Sequence, residues 1–215
     1  MRIWPGIVVL ILLASSAAAK DYPANEQPMY GGVAKPAALV EADQHFIETV
    51  LKRGYTRAKG SDDAVTTGWN YFFQKDLATA MKRFNQAWLL DPDNGDAFHG
   101  FALVLMERDH DSAGADMMFK TGEAKSRQSP GIYLDYGRFL LLQKRPTEAI
   151  VQLQKALSFP DMGPNAEALL TGAYADAGNL PAACLEARKV PNTVQAPYRK
   201  AVDLILTQCT GQSPR

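Results

Sequence analysis

The stretch "AMKRFNQAWLLDPDNGDAF", residues 80–98, decides the fold. It holds an amphipathic segment, an Asp-Pro stop at Pro92 and the start of a second segment. Ala80, Phe84 and Ala87 set small, bulky and small side chains on one helical face just before the proline. A later stretch, "AIVQLQKALSFPDMGPNAEAL" from Ala149, has the same outline, with Ala149, Leu153, Ala156 and Pro160 standing where Ala80, Phe84, Ala87 and Pro92 stood. Searching outward, small residues recur at Ala80, Gly114, Ala149 and Ala183, spaced 34, 35 and 34. A second series, Gly68, Ala102, Gly137 and Gly172, is spaced 34, 35 and 35. Two separate markers keep one period, which is the signature of a stacked repeat.

Close helix packing explains the spacing. Glycine inside a helix costs about 1 kcal/mol relative to alanine, so Gly68 and Gly137 require a packing reason. A small residue on each of two antiparallel helices lets the backbones approach, and the bulky residue between the small ones fills the groove beside them. One such hairpin cannot bury its own apolar face, so copies must stack. Beyond Ser61 almost every segment has helical spacing, and no stretch alternates at period two over strand length. The reading is an all-α protein.

At these residues the chain resembles the tetratricopeptide repeat (TPR) family, whose unit is a helix–turn–helix of about 34 residues. Gly68, Tyr71, Ala80, Phe84, Ala87 and Pro92 fall in that family's pattern. Gly137, Ala149, Leu153 and Ala156 do so again, with Leu140 in place of the tyrosine. The second copy is degenerate, with Ala102, Gly114, Met118 and Thr121 and a late Pro130. In the fourth, Gly172 and Ala183 disagree by one residue, which points to a deletion in its first helix. The family's usual tryptophan, before the small residue, is absent from every copy. The resemblance implies a right-handed solenoid whose first helices line a concave groove that holds a peptide or protein segment. It places Trp69, Phe72 and Phe73 in that groove, followed by Leu103, Met106 and Glu107, then Arg138, Leu141 and Leu142. Val65, His99 and Leu134 complete the stripe. The other reading of these side chains is covered core, because apolar helical stripes also pack between elements.

The N-terminus reads as an export signal. "MRIWPGIVVLILLASSAAAK" starts with Arg2, runs apolar from Ile7 to Leu13 and ends with Ala17 and Ala19 in an A-x-A arrangement, a secretory signal cleaved after Ala19. The alternative, an uncleaved anchor, has an apolar core short of the ~20 residues a span needs. The remainder is expected to be exported, to periplasm or exterior, with no stable membrane insertion. The following "KDYPANEQPMYGGVAKP" is rich in Pro and Gly and reads as extended or disordered. Leu39, Ala42, Phe46, Val50 and Leu51 then keep helical spacing. Ser61, Ser129 and Asn165 stand as helix-start signals. The chain thus divides into a signal peptide at 1–19, a lead at 20–36, an N-terminal helix at 37–60, repeats at 61–94, 95–129, 130–163 and 164–191, and a capping helix with tail at 192–215.

Chemistry-bearing motifs are few. His45, His99 and His110 form no metal-ligand spacing, and no G-x-S-x-G, H-E-x-x-H or P-loop occurs, so no catalytic residue, metal or cofactor is assigned. With 23 basic and 23 acidic residues and no clustered basic face, nucleic acid is an unfavourable partner. Export places Cys184 and Cys209 in an oxidising compartment, where a pair usually bonds. Their levels on successive helices differ by roughly 10 Å unless the connecting loop climbs, which leaves open a disulfide or two buried thiols. The composite reading is a non-enzymatic exported scaffold with a protein or peptide partner. An enzyme or accessory subunit acting on envelope material, and a self-associating protein, stand as alternatives.

Overall fold

The computed structural model describes residues 22–160 and 162–209. The expected signal peptide and its cleavage point lie outside the described residues, as does the tail from 210. Among the described residues ten α-helices follow one another: α1 (Ala37–Lys52), α2 (Arg57–Phe73), α3 (Leu77–Leu90), α4 (Gly95–Val104), α5 (Ser112–Glu123), α6 (Gly131–Leu142), α7 (Pro146–Leu157), α8 (Gly163–Asp176), α9 (Leu180–Ala187) and α10 (Ala196–Cys209). Hairpins α2–α3, α4–α5, α6–α7 and α8–α9 stack in chain order, and α10 packs on both α8 and α9. Among the described residues no strand forms beyond an isolated bridge between Asn94 and Arg127.

Local chemistry sets each turn. The two helices of a hairpin are joined through a left-handed residue: Lys75, His110, Lys144 or Gly178. The next residue stands at the N-cap position of the second helix. In three hairpins it also caps it, Asp76 accepting from Thr79 N–H, Asp111 from Gly114 N–H and Asn179 from Ala182 N–H. Pro146, Pro164 and Pro181 occupy first-turn positions, where a missing N–H is harmless.

The crossings are as tight as the glycine series implies. A methyl group added at Gly68 would lie 2.6 Å from the Phe84 ring, and one at Gly137 would lie 2.6 Å from Leu153. Gly100 approaches the same ring as closely, so Phe84 is clamped against both α2 and α4.

Two repeat markers fall one residue away from the sequence reading. A π-helical turn at Leu105–Asp109 adds a residue to the end of α4. The crossing residue of α5 is therefore Ala115, fully buried, with Phe119 four places on as Phe84 follows Ala80. Gly114 instead sits against the cap Asp111. In α8 the crossing residue is Thr171, fully buried, whereas nothing lies within 4 Å of a side chain built at Gly172. No deletion is needed in that helix.

Other expectations also shift. Ser61 is not a cap: α2 begins a turn earlier, where Thr56 accepts from Lys59 N–H, and the buried Ser61 hydroxyl donates to the Ala87 carbonyl at 2.8 Å. Ser129 donates to Asp96 rather than capping α6, and α8 starts before Asn165. The lead is not extended over residues 22–33, which fold onto α3 as a strap. Its turn at Met29–Gly32 has positive φ throughout, a conformation costing roughly 1–2 kcal/mol per non-glycine residue and held by its anchorage. Composition could not show this, because the anchor, Asn85, lies 55 residues beyond Tyr30. At the other end, residues 188–195 climb along the last hairpin with Val190 and Val194 buried. That climb brings Cys209 to Cys184, with Cα atoms 5.8 Å apart and sulfurs within bonding distance.

Candidate functional site

The first helices of successive hairpins lie side by side, α2 with α4 and α6 with α8. Their shared surface carries the residues expected to form a groove, and the structure divides those residues into a floor and an accessible strip. Val65, Phe72, His99 and Leu103 are buried. They support the surface rather than line it. Trp69, Met106 and Leu134 are half-buried, Phe73 is 74 % exposed, and Arg138 is exposed.

Trp69 is the keystone of this surface. Its ring meets Phe84 edge-on with centroids 5.0 Å apart, His99 at 4.9 Å and Phe72 at 5.7 Å. Its outer side stacks on Phe73 at 6.2 Å. Such pairs contribute about 0.5–1.5 kcal/mol beyond their buried area. The indole thus closes the core with one side and supports an exposed aromatic with the other.

The polar half comes from α6. His99 Nε2 lies 3.0 Å from Asp135 Oδ2, and Arg138 reaches the other carboxylate oxygen at 3.5 Å. Burial pushes the Asp135 carboxyl up, but the His99 hydrogen bond and the attraction of His99 and Arg138 outweigh it, leaving the group below the usual aspartate range. Asp135 escaped the sequence reading, although its place three residues before Arg138 on a helix is a signal for pairing. Arg127 also escaped it. From the loop between α5 and α6, Arg127 donates to both carboxylate oxygens of Asp62 at 2.7 and 2.9 Å and pairs with Asp91, tying the third hairpin's approach to the first.

A second concave feature lies on the opposite, outer side. A cavity of about 670 Å³ is bounded by Tyr22 and Met29 of the strap and by Leu105, Arg108, Met117 and Met118. Among the described residues, no group of three or more His, Cys, Asp or Glu is placed to hold a metal ion. No helix there is long and apolar enough to cross a membrane.

No protein-family model matches the chain, and no curated protein matches it. Solved structures do. The PilF protein of Pseudomonas aeruginosa superposes with a TM-score of 0.64 at 20% identity, over 73% of this chain and 72% of that one. YrrB, a TPR protein with an unusual peptide-binding site, superposes with a TM-score of 0.57 at 16% identity, over 70% of this chain and 78% of that one. The fold is TPR-like. At these identities the likeness concerns architecture: a right-handed, all-α solenoid of helical hairpins.

Proposed function

We propose that this protein is a non-enzymatic, exported scaffold that holds a peptide or protein segment against the inner face of its TPR-like solenoid. The observation that carries the reading is the accessible strip built on Trp69. Phe73 stands exposed beside it, Met106 and Leu134 continue the apolar surface, and Leu141, Leu142 and Arg138 end it on α6. An extended segment with an apolar anchor at Phe73 and a carboxylate at Arg138 fits this order of side chains. Aromatic and arginine side chains are the usual carriers of binding energy. YrrB, a solenoid of the same architecture, is described as having a peptide-binding site. Export is supported by the signal-like N-terminus and by the Cys184–Cys209 pair, which sits at bonding geometry suited to an oxidising compartment.

The test uses the two exposed positions, because Trp69 also packs the core. A tagged chain is used to recover envelope partners, and the recovered segment is then titrated as a labelled peptide. Phe73→Ala and Arg138→Glu should each weaken its binding by at least about 1 kcal/mol, with melting temperatures close to that of the parent. Unchanged affinity in both variants would remove the inner face as the binding surface.

A further inference from the structure

The strap is bound as a peptide ligand is bound. The Asn85 amide donates to the carbonyls of Asn25 and Gln27 at 3.0 and 2.8 Å, and its oxygen accepts from Tyr30 N–H at 3.3 Å. Arg108 donates to the Glu26 carbonyl at 3.0 Å. Main-chain groups are therefore read first, as in other modes of peptide recognition. Side chains add selectivity: Glu26 pairs with Lys82 at 2.9 Å, Tyr30 meets Trp88 with centroids 6.4 Å apart, and Met29 packs against the main core.

The α3 part of this recognition set has no equivalent in the other hairpins. The positions of Lys82 and Asn85 are taken by Met117 and Lys120 in α5, by Val151 and Gln154 in α7, and by Leu185 in α9 with Arg188 just after it. Asn85 is fully buried although it lies on an outer helix, and the strap is what covers it.

The segment that follows the strap is weakly held. Helix α1 has no buried residue and exposes Leu39, Val40 and Leu51. Its connection to α2, residues 53–56, is exposed throughout, with Gly54 at φ +84°. Residues 22–52 thus form an arm fastened chiefly through the strap, beside a cavity the strap leaves unfilled.

We propose that the outer face of α3, together with Arg108, is a peptide-binding site that takes residues 22–33 of a second copy in an arm-exchanged dimer. Exchange re-forms the same contacts between copies and needs no new interface, which is why swapping is an accessible route to dimers. The site is separate from the inner face, so it stands or falls independently of the function proposed above.

The test mixes two full-length variants, Tyr30→Cys and Trp88→Cys, under mild oxidation across a range of protein concentrations. An inter-copy disulfide should form and grow with concentration. It should fall at least tenfold when the second copy also carries Asn85→Ala, and fall again when excess synthetic peptide of residues 22–33 is added. A chain carrying both cysteines should close on itself at high dilution. Absence of the inter-copy bond when that internal bond is complete overturns the proposal. So does an inter-copy bond indifferent to Asn85→Ala or to the peptide. If either cysteine variant fails to fold, light scattering of the unaltered chain decides. A dimer fraction that rises with concentration and is lost in Asn85→Ala supports exchange, and a monomer at every concentration overturns it.

Discussion

The core of the first three hairpins and the core beneath α10 solve one packing problem with different residues. In the first, Phe84, Phe98, Phe101, Phe119 and Phe139 are buried, and glycines at 68, 100 and 137 make space for Phe84 and Leu153. In the second the buried set is Ala168, Ala183, Ala187, Val190, Val194, Val202 and Ile205, closed by the cysteine pair. Apolar burial contributes about 25 cal/mol per Å², so large rings stabilise more per residue than alanines and valines do. A covalent link between α9 and α10 compensates by restricting the unfolded chain. The difference teaches that helices can be packed on one another with large rings or with small aliphatic residues.

The largest expected effect breaks the comparison at its C-terminal side. The cysteines are 25 residues apart, and a loop of that size corresponds to about 3.5 kcal/mol of stabilisation in the chain-entropy account. Cys184→Ala with Cys209→Ala should lower the denaturation midpoint accordingly and release α10 first, seen as early hydrogen exchange over 196–209. Protection equal to the parent's would mean that the small-residue core stands alone.

Next comes Gly68→Ala. The new methyl would meet a ring already clamped by Gly100, and overpacking of this kind costs about 1–3 kcal/mol. Gly172→Ala should do the reverse. Its site is open, so the helix gain of up to about 1 kcal/mol is realised and the melting temperature rises slightly. Two helix glycines from one sequence series would then differ in sign, and a matching loss in both would undo the Thr171 register.

The smallest effect concerns Asp135. Its carboxyl is held below the usual range in the folded state, so its contribution is fully present above the ordinary aspartate value near pH 4. That contribution is lost as pH falls through the lowered folded value. Asp135→Asn should therefore narrow the stability difference between pH 7 and pH 3 relative to the parent. Parallel pH profiles would show that the His99 pairing adds nothing.

Much of this was legible in the residues. Period, hairpin order, the Phe84 and Leu153 packing positions and the TPR-like architecture all follow from short spacings, because a helix brings residues three and four apart onto one face. The candidate site was legible only in outline. Trp69, Phe73 and Arg138 reach the accessible strip, whereas Val65, Phe72, His99 and Leu103 have the same spacing and lie beneath it. Spacing reports which face a side chain takes, and exposure depends on what lies against that face.

The amino-acid sequence by itself determined the repeat and the helices, since both arise from contacts within about 35 residues. Only the tertiary structure decided the register of α5, where a single π turn moved the crossing from Gly114 to Ala115. It alone decided that Thr171 and not Gly172 meets the neighbouring helix. The strap belongs to the same class: a Pro- and Gly-rich segment has no periodic face to announce a partner. Its seat depends on one asparagine amide set opposite its main-chain groups by the folding of α3, and a pairing over that distance leaves no local pattern in either segment.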